Sequence, residues 1–494
     1  MKKSVVKSLS FVLSLIMLLT AFGAFTASAE VATKEKYING VYYTYTVKDG
    51  SVKIINAALS GNSAPKTLKI PSKIEGKPVT EVERVGMEEK NTKTTALVFP
   101  ASVKKIGGLM SPDYYAFFNI TNLASVTIGK NVKTINYNPF CGSLKKITVA
   151  KGNKYFSAKD GVLYNKKKTK LVAYPASKSG KSFTLPKSVK KIGAYAFYNA
   201  KKLRTVNTNR ANAASRSAFE GGEIVTIKLG APMKSFTGAA ICHSEKLKTI
   251  TVAKGNKYLT VKDGVLYNKK KTRVLYYPYT KKGTKYSVFK TVTAVGAFAF
   301  CGARLKKITL PDKVTQIGES AFEFCEAEVN LPASVKTVGK YAFSGSGIKD
   351  GVFPASLTKL GEGAFSCSGI TSLDMSKTSV KTIPEDAFSE CAYIETVTLP
   401  DCLETIEARA FYGCWNETLE VPASVRYIGS NAFHSFYLKT LIIRSTDAEI
   451  DDEAVSDTDL ECNPNPIVIK GPAGSTAEAY AAAKGFTFEL LSEA

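Results

Sequence analysis

From residue 305 onward six Ala-Phe pairs end at Phe322, Phe343, Phe365, Phe388, Phe411 and Phe433, spaced 21, 22, 23, 23 and 22 residues apart. A fixed period of this length is the mark of a solenoid, in which each coil buries its apolar face only against its neighbours. The regularity removes the inference that 494 residues imply several globular cores. The unit is clearest at Ile308–Phe322, which reads Ile-x-Leu-Pro, then Val314, then Ile317-Gly318, then Ala321-Phe322. Matching prolines stand at Pro332, Pro354, Pro400 and Pro422, with Met375-Ser376 where one is missing. Parallel strands stack ~4.8 Å apart, so about fifteen coils predict a rod ~70 Å long. The proline ends each strand by removing a ladder donor. The glycine after the isoleucine is read as permitting a tight or left-handed corner.

The chain divides by how well it keeps this unit. Lys2, Lys3 and Lys7 precede an apolar run from Leu9 to Ala24, and Ala27-Ser28-Ala29 follows as a small-x-small site. This predicts a secretory signal peptide over 1–29, cleaved after Ala29. The run is short for a membrane span, and no transmembrane segment is expected in the mature chain. Residues 30–95 read as an N-terminal β cap with the first repeat, turning at Asp49-Gly50. Residues 96–304 form a basic repeat section, 305–462 the regular repeats, and 463–494 a C-terminal cap containing a short helix at Ala477–Lys484 stopped by Gly485.

A longer repeat overlies the short one. Ile147–Tyr155 returns as Ile250–Tyr258, and Lys159–Thr169 returns as Lys262–Thr272, both at an offset of 103 residues. Each copy is read as a β-hairpin insertion, over 147–175 and 250–278: a Val-Leu-Tyr strand, a lysine turn, then Leu171–Tyr174 or Val274–Tyr277. Insertions in solenoids often build the binding surface. The candidate ligand residues are Lys166, Lys167 and Lys168 with Tyr164 and Tyr174, and Lys269, Lys270 and Lys271 with Tyr267, Tyr276 and Tyr277. Cations beside aromatic faces suit sulfated or phosphorylated glycans and wall polymers. The alternative is a solvated turn whose tyrosines pack on the coil below.

Charge distribution sharpens this. The formal net charge is +26, but residues 30–310 carry +38 and residues 311–494 carry −15. The basic half could seek polyanions, or opposite halves of two copies could attract. Nucleic acid would suit the same charges, but export argues against it as the biological ligand. The two histidines, His243 and His434, read as surface variants of the repeat. There is no zinc-ligand spacing, phosphate-cradling loop or nucleophile elbow, so no catalytic residue, metal site or cofactor is expected and the chain is not read as an enzyme. The acidic run Asp451-Asp452-Glu453, Asp457, Asp459 lacks the alternation of a calcium loop. Thr127, Thr148, Thr184, Thr251, Thr309 and Thr398 share one exposed strand position, read as a ladder that favours the sheet. Of nine cysteines, those just after the phenylalanines read as small buried hydrophobes, with Cys402 and Cys462 off that column.

The consensus Leu-x-x-Ile-x-Leu-Pro-x-x-Val-x-x-Ile-Gly-x-x-Ala-Phe-x-x-Cys closely resembles the BspA-type (Treponema-like) leucine-rich repeat family, over residues 40–490. The Asp-Gly-Val-Leu-Tyr-Asn-Lys hairpin and the ending at Gly474–Ala481 are similar to that family too. Residues 206–250 depart most from the pattern. The resemblance implies a mainly β repeat solenoid: a right-handed leucine-rich-repeat superhelix with parallel sheets and short turns or helices around Ala-Phe. It also implies a bacterial, secreted or cell-surface location and adhesion. Two functional readings follow. In one, the basic half binds an extracellular protein or an anionic polysaccharide. In the other, the chain is a passive structural or self-associating module.

Overall fold

Two short apolar phrases per coil, Ile-x-Leu and Lys-Ile-Gly, place strands in two separate parallel rows, which break into nine sheets among the described residues. The computed structural model describes residues 32–59, 64–86, 93–107, 120–136, 140, 143–281, 283–349, 351–435, 437–455 and 467–491. It is a mainly β solenoid of about 17 turns with very little helix. In the first row Lys307–Thr309 lies parallel between Lys285–Ser287 and Glu328–Val329, which puts Ile308 in line with Tyr286 and Val329. In the second, Gln316–Ile317 lies between Ala294–Val295 and Thr337–Val338. Strand alternation buries Ile308 and leaves Thr309 exposed. The same alternation exposes the threonine row, where the Thr127 and Thr148 hydroxyls lie 2.9 Å apart.

The Ala-Phe corner is a turn rather than a helix. The residue before each alanine (Tyr195, Ser217, Phe298, Ser320, Tyr341, Gly363, Asp386, Arg409, Asn431) is left-handed, with φ between 49° and 57°. This backbone is costly for a side-chain-bearing residue. Hydrogen bonds to the next coil offset the cost: the Ser320 N–H donates to Lys340 O at 2.9 Å and the Phe322 N–H to Ala342 O at 2.7 Å.

Gly107, after Ile106, is left-handed as expected, with φ of 87°, but further along the column the glycine has a different reason. Gly318, Gly339, Gly361 and Gly429 are not left-handed. A Cβ on Gly318 would stand 2.7 Å from Ala297 N, and one on Gly361 would stand 2.3 Å from Lys340 N. The column is glycine because successive coils touch there.

Inside, the phenylalanines form a ladder. Ring centroids from Phe300 through Phe322, Phe343, Phe365, Phe388, Phe411 and Phe433 are 4.9–6.1 Å apart, with planes within 16° of parallel. The buried core falls into three clusters, spanning residues 41–173, 162–276 and 265–486. Their seams lie at the two hairpin insertions. At the start, Lys34–Ile38, Val41–Lys48 and Ser51–Leu59 form an antiparallel meander whose last strand pairs in parallel with Lys77–Gly86. At the end, helix α1 (Thr476–Lys484) is capped by Ser475, which accepts from the Glu478 N–H, and stopped by left-handed Gly485.

All seven described cysteines are free. Cys391 and Cys414 are buried, and their thiols reach the carbonyls of Phe365 and Phe388 at 3.1 Å. Cys367 is exposed and Cys301 half-buried, so the column is less uniformly buried than its spacing suggested; Cys402, off that column, is exposed. The signal segment with Ala29, Cys141, Cys462, Asp457 and Asp459 lie outside the described residues. Among the described residues no helix is long and apolar enough to cross a membrane.

Candidate binding surface

Each insertion has three strands, one more than the sequence suggested. Phe156–Lys159 pairs antiparallel with Val162–Asn165, which pairs antiparallel with Lys170–Ala173. The first reversal is Asp160-Gly161, with φ of 52° and 78°, the conformation a two-residue hairpin needs. The second copy repeats this over Leu259–Lys262, Val265–Asn268 and Arg273–Tyr276. The last strand then joins the solenoid, with Lys170–Leu171 parallel to Lys191–Ile192.

That junction overturns the assignment of the tyrosines. Tyr164, Tyr174, Tyr267, Tyr276 and Tyr277 are at most 4% exposed, so none presents a ring face to a ligand. Tyr174 and Tyr277 are rungs of the aromatic ladder, 5.4 Å from Phe197 and 5.6 Å from Phe300. The Tyr174 N–H donates to Ala196 O at 2.7 Å, the bond that a ladder phenylalanine makes. Burial pushes the Tyr174 phenol up to about 12.

The lysines remain on the surface. Asn165 Oδ1 accepts from the N–H groups of Thr169 and Lys170 at 2.7 and 2.9 Å, and its amide donates to Thr169 Oγ1 at 2.8 Å. Asn268 makes the equivalent bonds to Arg273 and Thr272. Each turn is thus held from inside while Lys166, Lys167, Lys269 and Lys270 are exposed. Two cations of the six are engaged: Lys166 Nζ donates to Asn153 O at 2.7 Å, and Lys271 Nζ lies 4.7 Å from the centre of the Phe289 ring.

The exposed rings beside these turns are Tyr155 and Tyr258, each 48% exposed. Their carbonyls accept from the N–H groups of Lys166 and Lys269, at 2.6 and 2.7 Å. Their positions are set by a buried asparagine. Asn153 donates to the carbonyls of Gly129 and Val132 and accepts from the N–H groups of Tyr155 and Phe156; Asn256 does the same with Gly230, Met233, Tyr258 and Leu259. The signal was the Lys-Gly-Asn-Lys-Tyr phrase repeated at the 103-residue offset.

Both halves pair charges across coils, Lys105 with Glu81 at 3.1 Å and Arg204 with Glu223 at 2.9 Å in the basic one, but the basic half has far more cations than carboxylates to meet them. From Lys307 onward, cations meet carboxylates one coil away: Lys307 with Glu328 at 3.0 Å, and Lys340 with Glu362, Lys381 with Glu404 and Lys439 with Glu417 at 2.6 Å each. Arg409 bridges Glu385 and Asp386. In the basic section the register instead sets Lys170 directly beside Lys191, and neither has a carboxylate within ion-pair distance among the described residues. Partial burial and the neighbouring Lys191 charge pull the Lys170 pKa below its ordinary value.

Two further groups escaped the sequence. Trp415 stacks on Tyr437 at 4.7 Å, both about half exposed, beside a shallow cleft of about 560 Å³ lined by Glu395, Thr396, Val397, Glu417 and Thr418. Its two carboxylates make it unsuited to a polyanion. His434 stacks on Tyr412 at 4.8 Å. His243, in contrast, lies with Cys242 and Glu220 so that their ligand atoms are all within 4.8 Å of one another. No ligand spacing in the sequence announced this, because the donors come from successive coils.

A family described as the BspA type leucine-rich repeat region matches in six copies, over residues 89–179, 167–294, 293–379 and 376–467. Among curated proteins none matches the chain. Similar solved structures include the pneumococcal vaccine antigen PcpA, at 18% identity over 94% of this chain and 99% of that one, with a TM-score of 0.42. A leucine-rich repeat protein from Eubacterium ventriosum shares 19% identity over 86% and 96% of the two chains, TM-score 0.39. A leucine-rich cell surface protein from Faecalibacterium prausnitzii shares 18% over 88% and 98%, TM-score 0.34.

Proposed function

For a chain that belongs to the BspA-type leucine-rich repeat family, we propose the role of a secreted or cell-surface bacterial adhesion protein that holds an anionic extracellular polymer through its basic half. The observation that carries this is the contrast in pairing. Like charges set opposite each other in neighbouring strands are destabilising, and from Lys307 onward most cations meet a carboxylate one coil away, whereas in the basic half pairs such as Lys105 with Glu81 leave most cations unmatched. The basic half keeps Lys170 against Lys191 and adds the lysine turns. A polymer of sulfate, phosphate or carboxylate groups would supply the missing countercharge. Its sugar rings would lie on Tyr155 and Tyr258 beside the turns. Repeating anionic groups suit repeating cation sites, since each contact raises the effective concentration of the next.

The test is retention on immobilised polyanions, a sulfated polysaccharide and a wall teichoic polymer, at physiological salt. Replacing Lys167, Lys168, Lys269 and Lys270 together by serine should shift elution to clearly lower salt. Unchanged elution would remove the lysine turns from the binding surface. Light scattering across a salt series addresses head-to-tail self-association: assembly at low salt that does not need the lysine turns would favour the passive module.

A further inference from the structure

The coil that departs most from the repeat is the one before the second insertion. The Phe219 N–H donates to Ala240 O at 3.0 Å, which places Ile241 where a ladder phenylalanine would stand. The residues following the ladder position in consecutive coils are then Glu220 and Cys242. The next coil is close: a Cβ on Gly238 would meet Phe298 O at 2.4 Å. Cys301 and Glu323, which follow Phe300 and Phe322, continue the same column.

Glu220, Cys242 and His243 offer a carboxylate oxygen, a thiol sulfur and an imidazole nitrogen, all within 4.8 Å of one another. Cys242 is buried, and its sulfur also lies 3.3 Å from Ser217 Oγ and 3.4 Å from Ala239 O. His243 is exposed, which leaves an entry path from solvent. Glu323 is near enough for its charge to act on His243. The neighbouring cation, Arg216, is engaged by Glu319 at 2.6 Å and lies over the Phe298 ring.

We propose that Glu220, Cys242 and His243 bind a borderline-soft divalent transition ion, zinc above all, with the fourth position open toward Glu323 and solvent. Mixed sulfur, nitrogen and oxygen donors select zinc over calcium or magnesium, which take oxygen alone. Tetrahedral zinc holds such donors ~3.5 Å apart. Closing from 4.8 Å asks only for small rotations of His243 and Glu220, neither of which is buried. On binding, the thiol proton leaves to solvent and the thiolate becomes the ligand. The ion would clamp two coils where the aromatic ladder is broken by Ile241, beside the seam of two core clusters.

The experiment is a titration of the purified, reduced protein with cobalt(II) under anaerobic conditions, followed by zinc. One equivalent of cobalt should produce a thiolate-to-metal charge-transfer band, which one equivalent of zinc then removes. Cys242→Ser should abolish the band. His243→Ala, an exposed position that leaves folding untouched, should weaken binding about tenfold or more, and Glu220→Gln likewise. Cys367→Ser and Cys402→Ser should keep it. Zinc should also raise the Tm of the unaltered protein, and at the same concentration raise that of His243→Ala less. No band at one equivalent, a band retained in Cys242→Ser, or equal affinity in His243→Ala would each overturn the site.

Discussion

Exchanging which tyrosines serve the ligand and which serve the core yields a crossed prediction. Tyr277 is 2% exposed, stacked on Phe300 at 5.6 Å and edge-on to Tyr286 at 4.9 Å. Truncating a core aromatic to alanine costs ~3–5 kcal/mol, so Tyr277→Ala should lose that much. Tyr277→Phe keeps the ring and should cost less than about 1 kcal/mol. Tyr155 and Tyr258 are half exposed, and replacing both by alanine should change stability by less than about 1 kcal/mol. If each ring contributes ~0.5–1 kcal/mol to a bound glycan, the double variant should bind about five- to thirty-fold more weakly. In a solenoid the loss at Tyr277 is felt by neighbouring coils first. Amide exchange across residues 265–322 is therefore the measurement for stability, and a glycan array at fixed salt is the one for binding. A Tyr277→Ala protein with native exchange but no binding would refute the rung assignment. A Tyr155→Ala/Tyr258→Ala protein with full binding would refute the replacement site.

Three further outcomes follow from the packing. Gly361→Ala should lower stability by ~1–3 kcal/mol, because its Cβ would stand 2.3 Å from Lys340 N and the coils must part; thermal melts showing no change would deny the coil contact. Asn256→Ala should cost ~3 kcal/mol, since the buried carbonyls of Gly230 and Met233 lose their donor and the N–H groups of Tyr258 and Leu259 lose their acceptor. Limited proteolysis should then cut at Lys254 or Lys257, and resistance equal to the unaltered protein would contradict this. Burial pushes the Cys391 thiol from 9.0 up to about 12 and the Cys325 thiol up to about 11. Because the folded state holds these protons longer than the unfolded chain, their stabilisation is complete below pH 9 and is lost as pH rises toward 11–12. Cys391→Ala and Cys325→Ala should flatten that alkaline decline in urea melts, and an unaltered slope would refute it.

The architecture was legible because every coil makes the same demand on its core, so the demand repeats in the letters. Details that depend on how closely coils touch were not. A glycine after isoleucine says that a Cβ is not tolerated, but conformational freedom and close approach leave the same letter. The left-handed position two residues on is filled by Ser320, Tyr341, Asp386 and Arg409, which advertise nothing. The hairpin tyrosines misled for a related reason. A strand with one wet face should alternate, yet Val162, Leu163 and Tyr164 are all buried, because the insertion lies within the stack of coils instead of standing out from it.

The same geometry bears on Cys242 and His243. Neighbours on a strand point to opposite faces, which on sequence grounds separates a buried cysteine from an exposed histidine. His243, however, is left-handed, with φ of 54°, so the pair sits in a turn and strand alternation does not apply. Glu220 comes to them from 22 residues earlier, one coil away. In a solenoid, donors one period apart are spatial neighbours, and a metal-ligand search confined to short local spacings passes over them. The period that reveals the fold is therefore also the spacing at which its ligand sets should be sought.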